Sequence, residues 1–237
     1  MACRRAVILA GGKGTRLRPY TTVLPKPLMP IGEYPILEVI IRQLKYYNFE
    51  HITIAVNHQA EIIKAFFGDG SNWGVSIDYS PESKPLGTIA PLRLIPDLPE
   101  NFLVMNGDIL SDIDFSEFFE NHVNSRKIFT ISAHSRESIA DYGVLSINDD
   151  SVLVGFQEKP VSRHLVSMGI YAVNHSVTEY IPKEVKFGFD DLMYELLDLK
   201  INVGVIEYNG YWMDIGRPDD YMCAIDDFEK YKSQLHI

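Results

Sequence analysis

Apolar residues fall into short blocks along the chain, with two kinds of spacing. Ala6-Val7-Ile8-Leu9-Ala10 is a continuous apolar run stopped by Gly11-Gly12. Apolar on both faces, it predicts a central parallel strand covered by helices on each side. Between Ile36 and Tyr47, Ile36, Leu37, Val39, Ile40, Ile41 and Leu44 recur at helical spacing, with Glu38, Arg42 and Lys45 among them. That predicts an amphipathic helix. His51 to Val56 reads as a second strand, and Ala60 to Phe67 as a short helix ended by Gly68 and Gly70. The pattern continues with a strand near 75–79, a helix around 89–95 and a strand over 102–105. Past Asp112 it predicts a helix to about Val123, then strands near 129–133, 144–147, 152–157, 167–173 and 203–208. Helices are expected over 192–199 and 219–231. Strand alternating with helix is the βαβ rhythm of an α/β sheet. After about residue 125 the strands look antiparallel, as if a second half were built onto the same sheet. No internal repeat, low-complexity tract or Gly/Pro/Ser-rich linker divides the chain, which reads as one structural unit.

Composition narrows the function classes. With 237 residues, 46% hydrophobic and 23% charged, the chain is of ordinary globular type and long enough to bury a core without disulfides or structural metal. A net charge of −10 argues against nonspecific binding to nucleic acid or to an anionic membrane surface. It also means that any phosphate site must concentrate cations, backbone N–H groups or a metal against an acidic background. Only Cys3 and Cys223 occur; they fit neither a disulfide framework nor a zinc spacing, and point to a reduced, cytoplasmic setting. The seven histidines are scattered, with no HxH or HExxH pair, and read as surface or core residues. The apolar run after Arg5 is too short for a signal peptide, and no other run reaches membrane-spanning length.

Four places could carry chemistry. Gly11-Gly12-Lys13-Gly14-Thr15-Arg16-Leu17 follows the first strand directly. Its glycines let backbone N–H groups approach a ligand, and Lys13, Arg16 and Arg18 supply donors for phosphate oxygens. The alternative is a tight turn with solvated basic residues. A dinucleotide fingerprint would need glycine where Leu17 stands, and the Gly-Lys-Ser/Thr of a Walker A loop is absent. Lys26, between Pro25 and Pro27, is either a rigidly held phosphate contact or a surface loop lysine. Asp108 follows the strand over 102–105, where open α/β sheets bind ligands; it suits Mg²⁺ bridging phosphate oxygens, or else a cap or turn. Asp214, beside Tyr211, Trp212 and Gly216, is a second carboxylate ligand or a turn residue.

The stretch from Leu9 to Leu37, LAGGKGTRLRPYTTVLPKPLMPIGEYPIL, resembles the signature of the sugar-1-phosphate nucleotidylyltransferases. The likeness recurs in Pro85-Leu86-Gly87-Thr88, Asn106-Gly107-Asp108, Tyr142-Gly143-Val144, Glu158-Lys159-Pro160, Gly169-Ile170-Tyr171 and Trp212-Met213-Asp214-Ile215-Gly216. It implies a three-layer α/β/α, Rossmann-like domain with a mostly parallel mixed sheet. It also implies transfer of a nucleotidyl group from a nucleoside triphosphate to a sugar 1-phosphate, with release of pyrophosphate. Arg16 and the backbone of Gly11, Gly12, Gly14 and Thr15 would hold the leaving pyrophosphate. Lys26 would bridge developing charge, and Lys159 would orient the attacking phosphate. Asp108 and Asp214 would converge on one Mg²⁺. Leu9, Glu82, Gly87 and Thr88 would complete the nucleotide site, and Asn106, Gly143, Glu158 and Gly169 the sugar site, Gly169 from a strand end. The whole of 1–237 is expected to be a single catalytic domain with no C-terminal β-helix; a homo-oligomer is compatible with it.

The segment from Glu82 to Thr88 resembles the guanylyltransferase branch, which acts on mannose or heptose 1-phosphates. A carboxylate at Glu82 can accept from both N1–H and the 2-amino group of guanine, whereas uracil and thymine offer one donor on that edge. The alternative is a solvated loop residue. Ile89-Ala90-Pro91 departs from the small residues usual in the family after Gly87-Thr88. Other readings remain: CTP, UTP or dTTP as donor, another sugar or small phosphorylated acceptor, or an inert nucleotide-sugar-sensing subunit.

Overall fold

The computed structural model describes residues 4–57 and 59–237; Cys3 and His58, read above as a reduced thiol and an ordinary histidine, lie outside them. The first apolar run is β1 (Arg4–Leu9), its four central residues buried. The glycine loop and a short ribbon, β2 (Pro30–Ile31) with β3 (Tyr34–Pro35), lead to α1 (Ile36–Tyr46). Then come β4 (Phe49–Val56), α2 (Ala60–Phe67), β5 (Ser76–Pro81), β6 (Asn101–Asn106) and β7 (Ile109–Ser111). Helix α3 (Phe115–Ser125) opens at Asp114, whose side chain accepts from Glu117 N and satisfies a donor the helix leaves unpaired. The second half comprises β8 (Phe129–Ile139), β9 (Val144–Ile147), β10 (Leu153–Gln157), β11 (Val161–Asn174), α4 (Phe189–Asp198), β12 (Gly204–Glu207), β13 (Trp212–Asp214) and α5 (Pro218–Tyr231).

Seven strands form one sheet in the order β12-β8-β11-β6-β1-β4-β5. β1 runs parallel to β4 and β6, β4 to β5, and β12 to β8, while β11 is antiparallel to both its neighbours. The sheet is therefore parallel except for β11, the mostly parallel mixed type expected. Because successive side chains point to opposite faces, each strand feeds two cores. Ala6, Ile8, Ile52, Ile54, Leu103 and Met105 join residues of α1, α2, α3 and α5 on one side. Val7, Phe102, Val104, Phe129 and Val173 join Leu192 and Leu196 of α4 on the other. Both faces are covered, which is why residues 6–9 of β1 and 102–105 of β6 are continuously apolar rather than alternating.

Two expectations need correction. The helix expected around 89–95 is a 3₁₀ stretch, Ala90–Leu94. Pro91 lacks an N–H and Pro96 disfavours helix at the residue before it, so a full α-helix has no room. β8 and β11 also run well past the sheet, to Ile139 and back from Val161. Their outer halves are exposed, so burial imposes no apolar run there. Among the described residues, no helix is long and apolar enough to cross a membrane.

Candidate active site

The chain runs from β1 to β4 and β5 on one side, then returns to place β6 on the other side of β1. Such a reversal opens a crevice at the carboxyl ends of the strands, where open α/β sheets take their ligands. A cleft of about 510 Å³ lies there. Leu9 and Ala10 at the end of β1, Asn57 after β4, Glu82 after β5, and Asn106, Gly107 and Asp108 at the end of β6 all line it. Ala10 N bonds Ala55 O and Gly107 N bonds Leu9 O, so the strand ends are tied together at the cleft floor.

The loop over 11–17 forms one wall. Gly14 sits in the left-handed region at φ 59°, and a Cβ there would come within 2.9 Å of the Thr21 side chain. Thr21 Oγ1 in turn donates to Gly14 O, and Leu17 N to the same carbonyl. Buried Leu17 anchors the loop while Arg16 and Lys13 stay on the cleft side. Gly11, Gly12, Gly14 and Thr15 line it as well.

Lys26 is buried despite its charge. The turn Lys26–Leu28, closed by Leu28 N on Pro25 O and Met29 N on Lys26 O, points its ammonium at Asp108 Oδ2, to which it donates. Asp214 arrives by a three-residue ribbon: β13 pairs with β7, setting Asp214 against Ile109, and Ile215 N bonds Asp108 O. The two carboxylates, distant in sequence, thus become neighbours. Burial raises the Asp214 carboxyl above its ordinary value and the Asp108 charge adds to this, while Lys26 and Arg16 pull the other way. A pair of like charges held in this way favours a cation. Among the described residues no cluster of three or more His, Cys, Asp or Glu could cage a metal unaided. Two carboxylates facing a phosphate-sized cleft suit Mg²⁺, which binds one or two carboxylates and completes its shell with water and phosphate oxygens.

Glu82 is held in place by its own loop. Its Oε2 accepts from Leu86 N at 2.9 Å, and a Cβ on Gly11 would lie 2.6 Å from its Oε1. Burial raises its carboxyl above the ordinary value, against the hydrogen bonds from Leu86 and Asn57. One oxygen is thus engaged internally and the other faces the glycine wall.

The opposite wall is a seam between distant segments. Phe187 N bonds Leu86 O, Ala90 N bonds Phe187 O, and Phe189 N bonds Thr88 Oγ1. Gly87, at φ 95°, is required because a Cβ would lie 2.7 Å from Phe187 O. Thr88 is therefore a structural tie as well as a lining residue. The seam carries Lys186 into the cleft. Sequence reasoning missed Lys186, since its loop has no motif. It also missed Asn57, which its place after a strand at the sheet's turning point could have flagged.

Gly143, Glu158, Lys159 and Gly169 do not line this cleft. Gly143 and Glu158 meet on the β9–β10 arm: a Cβ on Gly143 would lie 2.6 Å from the Phe156 ring and 3.2 Å from Glu158 Oε2. Lys159 follows Glu158, exposed, at φ 43°. Gly169 is inside β11 rather than at a strand end, at the register shift between Ser167 and Tyr171. Its φ is 74°, and a Cβ would lie 2.6 Å from Asn106 Nδ2, the amide at the cleft floor.

Comparison with known proteins agrees with this geometry. The family model described as nucleotidyl transferase matches residues 5–231. The chain is 34% identical to a UTP–glucose-1-phosphate uridylyltransferase of Synechocystis, over 93% of this chain and 62% of that one. It is 33% identical to the D-glycero-alpha-D-manno-heptose 1-phosphate guanylyltransferase of Aneurinibacillus thermoaerophilus, over 95% and 99% of the two chains. It thus spans about six tenths of the first relative and nearly all of the second. Among solved structures, HddC of Yersinia pseudotuberculosis superposes with a TM-score of 0.74 at 27% identity, over 95% of this chain and 99% of that one. The glycine wall, the converging aspartates and the match across almost the whole sequence place this chain in the nucleotidyl transferase family.

Proposed function

We propose that the chain joins a nucleoside triphosphate to a sugar 1-phosphate, giving a nucleotide-sugar and pyrophosphate. The observation that carries this reading is the convergence of Asp108 and Asp214 beside buried Lys26, at a strand-end cleft walled by the glycine loop. The two relatives' printed names describe uridylyl transfer with glucose 1-phosphate and guanylyl transfer with a heptose 1-phosphate.

Both substrates are anions, so catalysis rests on positioning and charge neutralisation. No protein nucleophile is required. An oxygen of the sugar phosphate attacks the α-phosphorus in line, and the bond from that phosphorus to the bridging oxygen breaks as pyrophosphate leaves. The N–H groups of residues 11–15 and the Arg16 guanidinium receive the pyrophosphate. Lys26 offsets charge on the α-phosphate. Asp108 and Asp214 would hold Mg²⁺, which would polarise phosphate oxygens as a Lewis acid. Lys159 orients the attacking phosphate, with Asn106, Gly143, Glu158 and Gly169 around the sugar. The 1–237 chain acts as one catalytic unit, in the cytoplasm where nucleoside triphosphates are made.

For the base, Glu82 at the cleft rim favours guanine, and mannose- or heptose-type sugars accompany that branch. A second reading draws on the same side chain. With Oε2 engaged by Leu86 N, Oε1 alone suits the single donor of uracil or thymine. A matrix of the four triphosphates against several sugar 1-phosphates, scored by pyrophosphate release with Mg²⁺, tests both. GTP giving the highest kcat/KM supports the first reading, and UTP or dTTP the second. No release from any combination would overturn the proposal.

A further inference from the structure

We propose that Asp220, in the first turn of α5, is a positioning residue that holds Arg16 for the leaving pyrophosphate. It rests on the reading of Arg16 as the pyrophosphate contact. Arg16 lines the cleft and is exposed, and among the described residues no hydrogen bond or ion pair holds it. An arginine of this kind samples many rotamers, and ordering it on binding costs entropy. An anchor that favours the working rotamer lowers that cost.

Gly216 marks where that anchor is. It is a buried residue of the cleft wall. A Cβ built on it would lie 3.5 Å from Asp220 Oδ2 and 3.7 Å from both Arg16 Nη2 and Asp214 Oδ1. Three charged groups therefore meet around one residue that has no side chain to separate them. Their charges act on one another: after burial and the Asp108 charge, Asp220 also raises the Asp214 carboxyl, which Lys26 and Arg16 lower. Asp214 lines the cleft and is committed to the proposed cation, whereas Asp220 does not line it. Asp220 can thus hold the guanidinium without touching substrate.

The ordinary task of an acid at this place in a helix is to cap it, and α4 does this. There Asp191, third after the N-cap Gly188, accepts from Gly188 N through Oδ2 at 2.7 Å. Asp220 is likewise third after the N-cap Arg217 of α5, yet it accepts no such hydrogen bond among the described residues. It is half-buried, while Arg217, Pro218 and Asp219 are exposed. Its carboxylate is turned to Gly216 and Arg16 instead. Arginine carries five N–H donors in a planar fork, so one edge can engage Asp220 while another meets a phosphate oxygen.

Calorimetric titration of the full chain with inorganic pyrophosphate and Mg²⁺ tests this, because the sign of the effect decides. If Asp220 acted only through its charge, Asp220→Asn would remove a repulsion and tighten pyrophosphate binding. If it holds Arg16, the same change should weaken binding by about fivefold, within the range for coupled neighbours. KM for the triphosphate should rise with it, while KM for the sugar 1-phosphate stays unchanged, and Asp220→Glu should recover part of the loss. In an Arg16→Ala background Asp220→Asn should cause no further weakening, whereas a general defect in α5 would add in either background. Tighter binding by Asp220→Asn, or an undiminished loss in the Arg16→Ala background, would overturn the proposal while leaving Arg16 its role. No pyrophosphate binding by the unaltered chain, or Arg16→Ala without effect on it, would overturn the reading of Arg16 and this proposal with it.

Discussion

Lys26 Nζ donates to Asp108 Oδ2 across 82 positions of sequence, and Lys26 and Arg16 lower the Asp214 carboxyl that Asp108 raises. The four groups form one electrostatic unit. Removing Lys26 takes away a cation that acts on both acidic side chains, and removing Asp108 takes half of the proposed cation-binding pair. Lys26→Gln and Asp108→Asn should each lower kcat by about two orders of magnitude or more, the scale of losing a main charge-stabilising group. Turnover measured across a Mg²⁺ titration checks this. Asp108→Asn retaining full rate in excess EDTA would remove the metal assignment.

Arg16, Lys159 and Lys186 are cations on three different supports, and their variants should separate. Arg16→Ala should impair triphosphate use and turnover. Lys159→Ala should chiefly raise KM for the sugar 1-phosphate. Lys186→Ala removes an exposed cation from the seam wall and should lower kcat/KM by roughly tenfold, about 1.5 kcal/mol for a charge-assisted contact; Lys186→Arg should recover most of it. Two-substrate kinetics on each variant decides, and the same defect in all three would contradict the separate roles.

Gly11 and Glu82 are coupled through space. A methyl at Gly11 would lie 2.6 Å from Glu82 Oε1, so Gly11→Ala must displace that carboxylate. It should change preference among triphosphates more than among sugars. If Glu82 reads guanine, GTP should exceed ITP in kcat/KM by about 1–3 kcal/mol, the cost of an unpartnered buried acceptor, and Glu82→Gln should narrow the gap. Equal use of GTP and ITP would argue against that role for Glu82.

His122 on α3 is buried. Its Nδ1 lies 2.8 Å from Thr130 Oγ1, and its Nε2 has no partner among the described residues. Burial pushes its pKa down to about 4 from an ordinary 6.5. The unfolded chain therefore binds a proton at a higher pH than the folded one. This residue's contribution is intact above pH 6.5 and declines as pH falls towards 4. His122→Leu should flatten that part of the Tm-versus-pH curve, measured against the unaltered chain by thermal unfolding. Parallel curves would show that His122 does not carry the acid sensitivity.

The first third of the fold was legible because each element there buries a complete pattern. β1 is apolar on both faces, α1 shows a clean stripe, and α2 begins and ends where the sequence suggests. The glycine wall, Lys26 and Asp108 were readable for the same reason, since strand ends and prolines fix their positions. Asp214 joining Asp108 was not readable from pattern. The β7–β13 ribbon is three residues a side, too short for any periodicity, and resemblance alone suggested the pairing. Lys186 was invisible because backbone hydrogen bonds of its neighbour Phe187 with Leu86 and Ala90 hold its segment, and those leave no trace in side-chain type. The outer halves of β8 and β11 were underestimated because they are exposed, so no burial pattern marks them. Gly169 was expected at a strand end, but it sits inside β11 at a bulge, with Asn106 beside it.

The β7–β13 ribbon also bears on when the cleft comes into being during synthesis. Asp108 and the glycine wall emerge from the ribosome early, but Asp214 follows strands β8 to β12, and the seam needs Phe187 and Phe189. Contacts of such long range close late, because their loop entropy must be met before they can form. A nascent chain can therefore present a phosphate loop well before it can hold both carboxylates together. Competence arrives in one step, once β13 and the ribbon it forms with β7 have been made, rather than growing with chain length.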